Sequence, residues 1–164
     1  MDKQPLVAQM IDQLRSAARI AQHASADAER EARTGATADE KRLDARVAIE
    51  YSQMARAQAL REHKVRAELR ALKTFHPGAR RNGQGIGIGA IVEIEDEDTG
   101  AGRTFFLAPV GAGMALTGPD GDGHITVVTP ASPIGKAVLG QRVGDVIDVT
   151  IKGDVREWSI SYVC

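Results

Sequence analysis

Cysteines, aromatic residues and long apolar runs are all scarce in this chain of 164 residues. The single cysteine, Cys164, is the last residue, which excludes an internal disulfide framework and a cysteine-rich zinc site. Aromatic residues make up 4% of the chain, so we expect a modest core. No apolar run approaches the ~20 residues of a membrane-spanning helix, and the first residues lack the hydrophobic segment of a signal peptide. The sequence therefore predicts a cytoplasmic protein that does not enter membranes.

Motifs of the common catalytic and ligand-binding classes are also missing. The glycine-rich run from Gly83 to Gly89 follows a predicted helix and precedes a predicted strand, the reverse of what a dinucleotide loop requires. The segment Asp120–Gly123 resembles the start of a calcium loop without its later acidic ligands, which favours a surface turn. The four histidines are scattered, and no Ser/His/Asp or Cys/His arrangement is visible. We therefore expect no catalytic site and no cofactor of the chain's own.

The charges are unevenly divided although the net charge is only −1. Residues 1–81 contain 16 Lys and Arg against 11 Asp and Glu, a balance of +5. Residues 82–164 contain 5 against 11, a balance of −6. Such a split predicts two domains with different partners.

The first half of the chain has the pattern of two long helices. From Gln4 to Arg33 no Gly or Pro follows Pro5, and apolar or small residues recur at steps of three and four, as in a coiled-coil seam. The predicted seam is Val7, Ile11, Leu14, Ala18, Ala21, Ala28 and Ala32, with Ser25 in the remaining slot.

A second helix is predicted after the break at Gly35. Thr37 and Glu40 have the spacing of a capping box, so this helix should run from about Ala38 to Phe75. Two long helices joined by a short loop are antiparallel neighbours, which predicts a helical hairpin. Its apolar stripe is Leu43, Val47, Tyr51, Met54, Val65, Leu69 and Leu72, interrupted by Gln58 and Arg61.

The second half has the pattern of a small sheet. A period-two alternation of Ile86, Ile88, Ala90, Val92 and Ile94 predicts a strand from Gly85, and an acidic turn at 96–100 leads back into a strand at 104–107. The glycine-rich segment 111–123 is predicted to be a flexible loop, and 125–128, 146–151 and 158–162 to be further strands.

A short helix is predicted at the centre of this half. Ser132 is a natural N-cap and Pro133 fits the first helical position. Ile134, Ala137 and Val138 then fall on one face, and Gly140 suits the left-handed C-terminal position. A helix this short must pack into a sheet to be stable.

The order of these motifs resembles the C-terminal domain of the Gre family, the bacterial GreA/GreB transcript-cleavage factors. Its members have an Ile-Ser strand, Ser-Pro, a small helix ending in Leu-Gly, then Gly-Asp and two hairpin strands; here these are Ile125-Thr126, Ser132-Pro133, Leu139-Gly140 and Gly144-Asp145, with Pro130-Ala131 as extra residues. The resemblance implies an α+β fold: a helical hairpin, then a small FKBP-like antiparallel β domain with one short helix. We predict domains at 1–76 and 85–164, joined by a basic linker at 77–84.

The resemblance also implies a partner and a mechanism. The hairpin would enter the secondary channel of RNA polymerase and reach the 3′ end of the nascent RNA. Carboxylates at its tip, here Asp39, Glu40 and Asp44, would help hold the second catalytic Mg²⁺ of the polymerase, so that backtracked RNA is cleaved. The chain would stimulate the polymerase rather than be an enzyme itself. Capping and the helix dipole favour acids at Asp39 and Glu40 in any case.

The tip departs from the family pattern. Members carry a motif close to Gly-Asp-Leu-x-Glu-Asn-Ala-Glu-Tyr, and the nearest match here is 44–51, in which Val47-Ala48 replace the central Glu-Asn. Either the tip is rebuilt around Asp39 and Glu40, or the cleavage chemistry is lost and only channel occupancy remains. The second case would make the chain a non-cleaving regulator.

Two further surfaces are candidates for binding. The resemblance implies that the loop from Thr129 to Ile134 grips a coiled coil at the channel rim, with Ser132, Pro133 and Ile134 as partner-binding residues; helix capping by Ser132 is the plainer explanation. The second helix carries basic residues, of which Arg56, Arg61 and Lys64 would face RNA, although such a run is also typical of a solvated helix face. The full basic set is Arg56, Arg61, Lys64, Arg66, Arg70 and Lys73.

Two other function classes stay open. An FKBP-like fold is compatible with a prolyl isomerase, although the few aromatic residues suit the core better than a binding pocket. The alanine-rich seam is compatible with a coiled-coil interaction module that dimerises.

Overall fold

The structure is a computed structural model that describes residues 2–34, 44–78, 83–118, 121, 123–151 and 154–164, with only the backbone described at 24–34, 44–52, 151 and 154. The predicted fold class, helices followed by a small sheet domain with one short helix, is confirmed. In chain order the elements are α1 (Gln4–Thr34), α2 (Asp44–Thr74), β1 (Ile91–Asp96), β2 (Gly102–Leu107), β3 (Ala115–Thr117), β4 (His124–Val128), α3 (Pro133–Val138), β5 (Val146–Ile151) and β6 (Asp154–Val163).

The chain forms two compact units. One unit is Asp12–Arg70, and the other combines Met1–Ile11 with Ala71–Cys164. The start of α1 and the end of α2 therefore belong with the sheet. The domains predicted at 1–76 and 85–164, joined by a linker at 77–84, stay a prediction, whereas the contacts divide the chain within α1 and α2.

Within the unit 12–70, α1 and α2 lie side by side. The side-chain amide of Gln58 donates to the carbonyl oxygen of Ala21 at 3.0 Å, so a residue that interrupts the apolar stripe links the two helices instead. Leu14 of the seam is buried, and Ala21 faces α2 although it is exposed. Met54 is 67% exposed, so the predicted stripe of α2 is wrong at this position. The capping box at Thr37 and Glu40 lies outside the described residues, as do the side chains of the seam beyond residue 23.

The first turns of α1 cover one face of the sheet. Leu6 and Met10 are fully buried, although the predicted seam omitted both. From α2, Leu72 is buried, and the ring of Phe75 lies 6.4 Å from that of Phe106 in β2. These apolar contacts explain why the helix ends and the sheet form one unit.

Gln9 extends this packing to the edge of the sheet. Its side-chain amide donates to the carbonyl oxygen of Thr117 at 3.0 Å and accepts from the N–H of Thr117 at 2.9 Å. The carboxamide thus pairs with β3 as a neighbouring strand would. Satisfying an edge strand in this way removes a template for pairing with another chain.

The six strands form one sheet in the order β3-β4-β2-β1-β6-β5. The expectation of a purely antiparallel sheet is wrong, because β2 and β4 pair in parallel. The segment 111–123, predicted to be a loop, contains β3, which pairs antiparallel with β4. This extra strand reverses the chain once more, and β4 therefore runs in the same direction as β2.

The strand predicted from Gly85 begins only at Ile91. Gly89 has a φ of +97°, which turns the chain, and Ile88 is exposed. Ile86 is buried for a different reason: its backbone pairs with the segment after α3, through Ile86 N–H to Gln141 O and Gly140 N–H to Ile86 O, both 2.8 Å. The apolar residues that alternate from Ile86 to Ile94 therefore do not belong to one strand: Ile86 packs beside the end of α3, and only the residues from Ile91 onward are in β1.

The main core lies between the other face of the sheet and α3. Val138 of α3 is fully buried there, and Ile134 and Ala137 pack against the same cluster, as their predicted shared face requires. The buried members are Ile86, Ala90, Val92, Ile94, Phe105, Leu107, Val128, Val138, Ile147, Val149, Trp158 and Ile160.

Asp96 organises the turn between β1 and β2. One oxygen of its buried carboxylate accepts from the N–H groups of Asp98 and Thr99 at 3.0 and 2.9 Å, and the other lies 3.4 Å from Arg156. The hydrogen bond from the Thr99 backbone is the largest of the effects that hold the pKa of Asp96 below its ordinary value of 3.8. The predicted acidic turn is therefore held together by its first acid.

Replacing Gln9 by alanine should weaken the edge of the sheet. We expect a loss of about 1 kcal/mol, since two hydrogen bonds are exchanged for water at a half-buried position. Urea unfolding followed by Trp158 fluorescence measures the loss, and faster amide exchange at Thr117 locates it. Gln4→Ala, an exposed position in the same helix, is the matched control. Equal stabilities and equal Thr117 exchange in both variants would contradict the role of Gln9.

The carboxylate of Asp96 should make stability depend on pH. Because its folded pKa is lowered, its contribution is present above the unfolded value and is lost as pH falls through the folded one. Asp96→Asn should therefore be less stable than the wild type at pH 7, with the difference shrinking below about pH 4. Thermal unfolding at pH 7, 5 and 3 measures this, with Asp148→Asn, an exposed acid of β5, as the control. A difference that stays constant with pH would argue against the charge.

Candidate functional site

The loop before α3 is held by the hydroxyl of Ser132. Its oxygen accepts from the N–H of Gly135 at 3.0 Å, and its hydrogen is donated to the carbonyl oxygen of Thr129 at 2.8 Å. Ser132 has extended backbone angles (φ −71°, ψ 154°) and Pro133 follows it, which confirms the predicted N-cap. The Ser132 hydroxyl thus donates and accepts its hydrogen bonds within the loop. A partner would contact Ser132 through its other exposed atoms.

Gly135 permits this loop to close. A Cβ atom at this position would clash with the carbonyl oxygen of Thr129, which belongs to the backbone and cannot easily move aside. The restriction comes from the close approach and not from a left-handed backbone. The loop and the first turn of α3 therefore form one unit that requires glycine at 135.

A surface pocket lies beside this loop, on the face of the sheet that α3 covers. Its volume is about 550 Å³, within the usual range of ligand sites. We call it the α3 pocket; the lining residues that matter most are Arg103, Phe105, Thr126, Val128, Ser132 and Ile134. Two of the three predicted partner-binding residues, Ser132 and Ile134, therefore line it, while Pro133 is exposed next to them.

Arg103 is the charged residue at this site that sequence analysis missed. Its guanidinium carbon lies 5.4 Å from the ring centroid of Trp158, within the range of a cation–π contact. Trp158 is buried, and its Nε1 has no hydrogen-bond partner in the described part of the chain. The position of Arg103 at the start of β2 was available from the sequence, but its contact with Trp158 crosses β1 and is a tertiary feature.

The predicted tip carboxylates cannot be placed in the same way. Asp39 and Glu40 lie outside the described residues, and Asp44 is the first residue of α2 with only its backbone described. Within the described segments no cluster of three or more His, Cys, Asp or Glu residues could hold a metal ion. The metal-directed role of these three acids stays a prediction.

The three residues predicted to face RNA are exposed on α2. Lys64 lies 4.0 Å from Glu68, and Arg61 and Lys64 both line a groove of about 530 Å³ between α1 and α2. Arg56 and Arg61 are five positions apart, which separates them by about 140° around a helix. They therefore do not share one narrow stripe, and their role in RNA binding stays a prediction.

None of the helices in the described ranges combines the length and the apolar character that crossing a bilayer requires.

Substituting Gly135 by alanine should open the loop before α3. The clash with the Thr129 carbonyl is with backbone, so we expect a loss of about 3 kcal/mol, at the upper end for overpacking. Urea unfolding monitored at Trp158 measures it. Gly87→Ala, where a Cβ atom meets nothing within 4 Å, is the control and should change stability little. Comparable losses in both variants would contradict the close approach at Gly135.

Two bacterial transcription factors are similar in sequence to this chain. The chain is 33% identical over 78 residues to the transcription inhibitor protein Gfh1 of Thermus aquaticus, covering 48% of this chain and 46% of that protein. It is 31% identical over 114 residues to the transcription elongation factor GreA of Methylobacterium sp. strain 4-46, covering 68% of this chain and 66% of that protein. The chain spans about half the length of the first of these relatives.

Two solved structures also align with the chain. The structure of the transcription factor Gfh1 superposes with a TM-score of 0.41 and 22% identity, covering 96% of this chain and 92% of that one. A GreA/GreB elongation factor from Nitrosomonas europaea gives a TM-score of 0.39 and 19% identity, covering 62% of this chain and 78% of that one.

The family match falls on the sheet unit. The model of the C-terminal domain of the transcription elongation factors GreA and GreB matches residues 81–163, about half of the chain, and this range includes β1 to β6, α3 and the α3 pocket. The resemblance read from the Ser-Pro helix and its flanking strands is thereby confirmed, and the chain belongs to the GreA/GreB family.

Proposed function

We propose that the chain is a transcription elongation factor that binds bacterial RNA polymerase and acts in its secondary channel. The observation that carries the proposal is the family match over 81–163. The α3 pocket supports it, because a pocket of this size beside an N-capped loop offers a partner a preformed surface. A protein with this partner would work in the cytoplasm.

The proposed mechanism divides the work between the two parts of the chain. The sheet unit holds the rim of the channel through the loop 129–134, and the helical hairpin reaches the 3′ end of the nascent RNA. Asp39, Glu40 and Asp44 then direct a Mg²⁺ of the polymerase, since Mg²⁺ is usually held through only one or two carboxylates with water and phosphate completing its shell. The chain supplies no metal of its own, and the polymerase performs the hydrolysis.

Basic residues of α2 would support the RNA during this step. Arg56, Arg61 and Lys64 are exposed, and a surface pair such as Lys64 with Glu68 is weak enough to be exchanged for a phosphate. Their contribution would be electrostatic and would fall with salt concentration.

A second candidate function is regulation without cleavage. The replacement of the family's central Glu-Asn by Val47-Ala48 favours it, and so does similarity to relatives whose name is transcription inhibitor protein. In this case the hairpin occupies the channel and excludes other factors.

Cleavage of nascent RNA in a stalled, backtracked polymerase complex tests the proposal. We expect the wild-type chain to shorten the RNA, and Asp39→Ala/Glu40→Ala or Asp44→Ala to slow cleavage by roughly 10-fold or more, as loss of a group that holds a metal does. Glu62→Ala, an exposed acid of α2 that pairs with Arg66, is the control and should cleave normally.

The remaining outcomes separate the two candidates. A chain that does not cleave but blocks cleavage by an authentic GreA is a channel-binding regulator. A chain that neither cleaves nor competes contradicts both candidates.

A further inference from the structure

The α3 pocket differs in charge from the unit around it. Residues 82–164 contain 11 acids and 5 basic residues. None of the described residues that line the pocket is an acid, whereas the positively charged Arg103 lines it, with His124 beside it. The pocket is therefore a basic site within an acidic half of the chain, and its electrostatic preference is opposite to that of its surroundings.

Arg103 is held in a way that leaves it able to bind an anion. The ring of Trp158 contacts its guanidinium at 5.4 Å, and the ion pairs among the described residues do not include it. A guanidinium has five N–H donors and can form two parallel hydrogen bonds with one carboxylate. The indole thus positions a charge without neutralising it.

His124 of the neighbouring strand β4 adds a second hydrogen-bond donor to the pocket, and apolar side chains complete its lining. Thr104 of β2 pairs with Ile125 of β4 in the parallel register. The residues that precede them, Arg103 and His124, therefore lie side by side on the two strands. Deeper in the pocket are Phe105 and Val128, which are buried, and Ile134, which is half-buried. The pocket combines donors at its rim with an apolar interior.

We propose that the α3 pocket binds a segment of RNA polymerase that presents a carboxylate beside an aliphatic side chain, and that Arg103 is its specificity-determining residue. The carboxylate pairs with Arg103 and the aliphatic group covers Phe105, Val128 and Ile134. This inference rests on the proposed function and names the chemistry by which the partner is recognised.

The same observations disfavour nucleic acid as the occupant. A nucleic acid carries a negative charge at every phosphate, so the net charge of −6 over residues 82–164 repels it more strongly than a protein segment with a single carboxylate. Single-stranded RNA binds by stacking successive bases on several exposed rings, but Phe105 is only 4% exposed, which leaves His124 as the one exposed ring among the described lining residues. A protein segment with one acid and a neighbouring aliphatic side chain matches both the positive charge of Arg103 and the apolar residues that line the α3 pocket.

Binding of the full chain to bacterial core RNA polymerase tests the inference. We expect Arg103→Gln to raise the dissociation constant about 10-fold and Arg103→Glu to raise it further, because charge reversal adds repulsion to the lost pair. Arg142→Gln and Arg142→Glu change an exposed arginine of the same unit that is not among the lining residues, and should stay within about 2-fold of the wild type. Far-UV circular dichroism and thermal unfolding check that the Arg103 variants are folded, because Trp158 fluorescence responds to Arg103 directly.

An array of overlapping peptides from the polymerase subunits identifies the bound chemistry. Peptides that bind the wild type and not Arg103→Glu should contain an acid next to an aliphatic residue. Lysine in place of that acid should abolish wild-type binding and restore binding to Arg103→Glu.

The outcomes distinguish failure of the proposed function from failure of the role assigned to Arg103. If the wild type does not bind polymerase, the proposed function fails, and this inference fails with it. If the wild type binds and both folded Arg103 variants bind equally well, the inference alone is overturned. It is also overturned if Arg103→Gln weakens binding of a single-stranded RNA oligonucleotide while polymerase affinity is unchanged.

Discussion

The hydrogen-bonded turn from Thr129 to Gly135 sets the position of helix α3 and of everything that packs around it. The Ser132 hydroxyl connects the Thr129 carbonyl to the Gly135 N–H, and the missing side chain at 135 lets the two backbones meet. A helix of six residues has no stability alone, so this turn and the burial of Val138 keep it on the sheet.

The turn also sets where the segment before β1 meets the segment after α3. Gly140 follows α3 with a φ of +83° and pairs with Ile86 through its N–H. A Cβ atom on Gly85 would lie 2.6 Å from the carbonyl oxygen of Gly140, so the approach of these two segments needs glycine on both sides for different reasons. The segment before β1 is thus anchored by the end of α3, and the α3 pocket is bounded by parts of the chain far apart in sequence.

The elements that the sequence predicted well are those determined by local chemistry. Ser132 and Pro133 specify a helix start within a few residues, and the alternation in Val146–Ile151 specifies a strand with one buried face. The parallel pairing of β2 with β4 and the short β3 depend on which strands meet, and no local pattern encodes that choice. The same holds for the site: Ser132 and Ile134 were found from the motif, whereas Arg103 became visible only through its contact with Trp158 across β1.

Leu6 and Met10 are buried although the predicted seam omitted them, because the buried surface of the first turns of α1 is wider than the seam, of which Val7 is buried as well. Periodicity identifies an amphipathic helix but not its partner.

Hydrogen–deuterium exchange of the chain with and without bacterial core RNA polymerase tests most directly whether the α3 pocket is the surface that binds the polymerase. We expect slower exchange in the complex for peptides that cover residues 102–106 and 124–135, the strands and the loop that form the α3 pocket. A stable complex in which these peptides exchange as in the free chain, while other parts of the sheet unit become protected, would contradict this expectation.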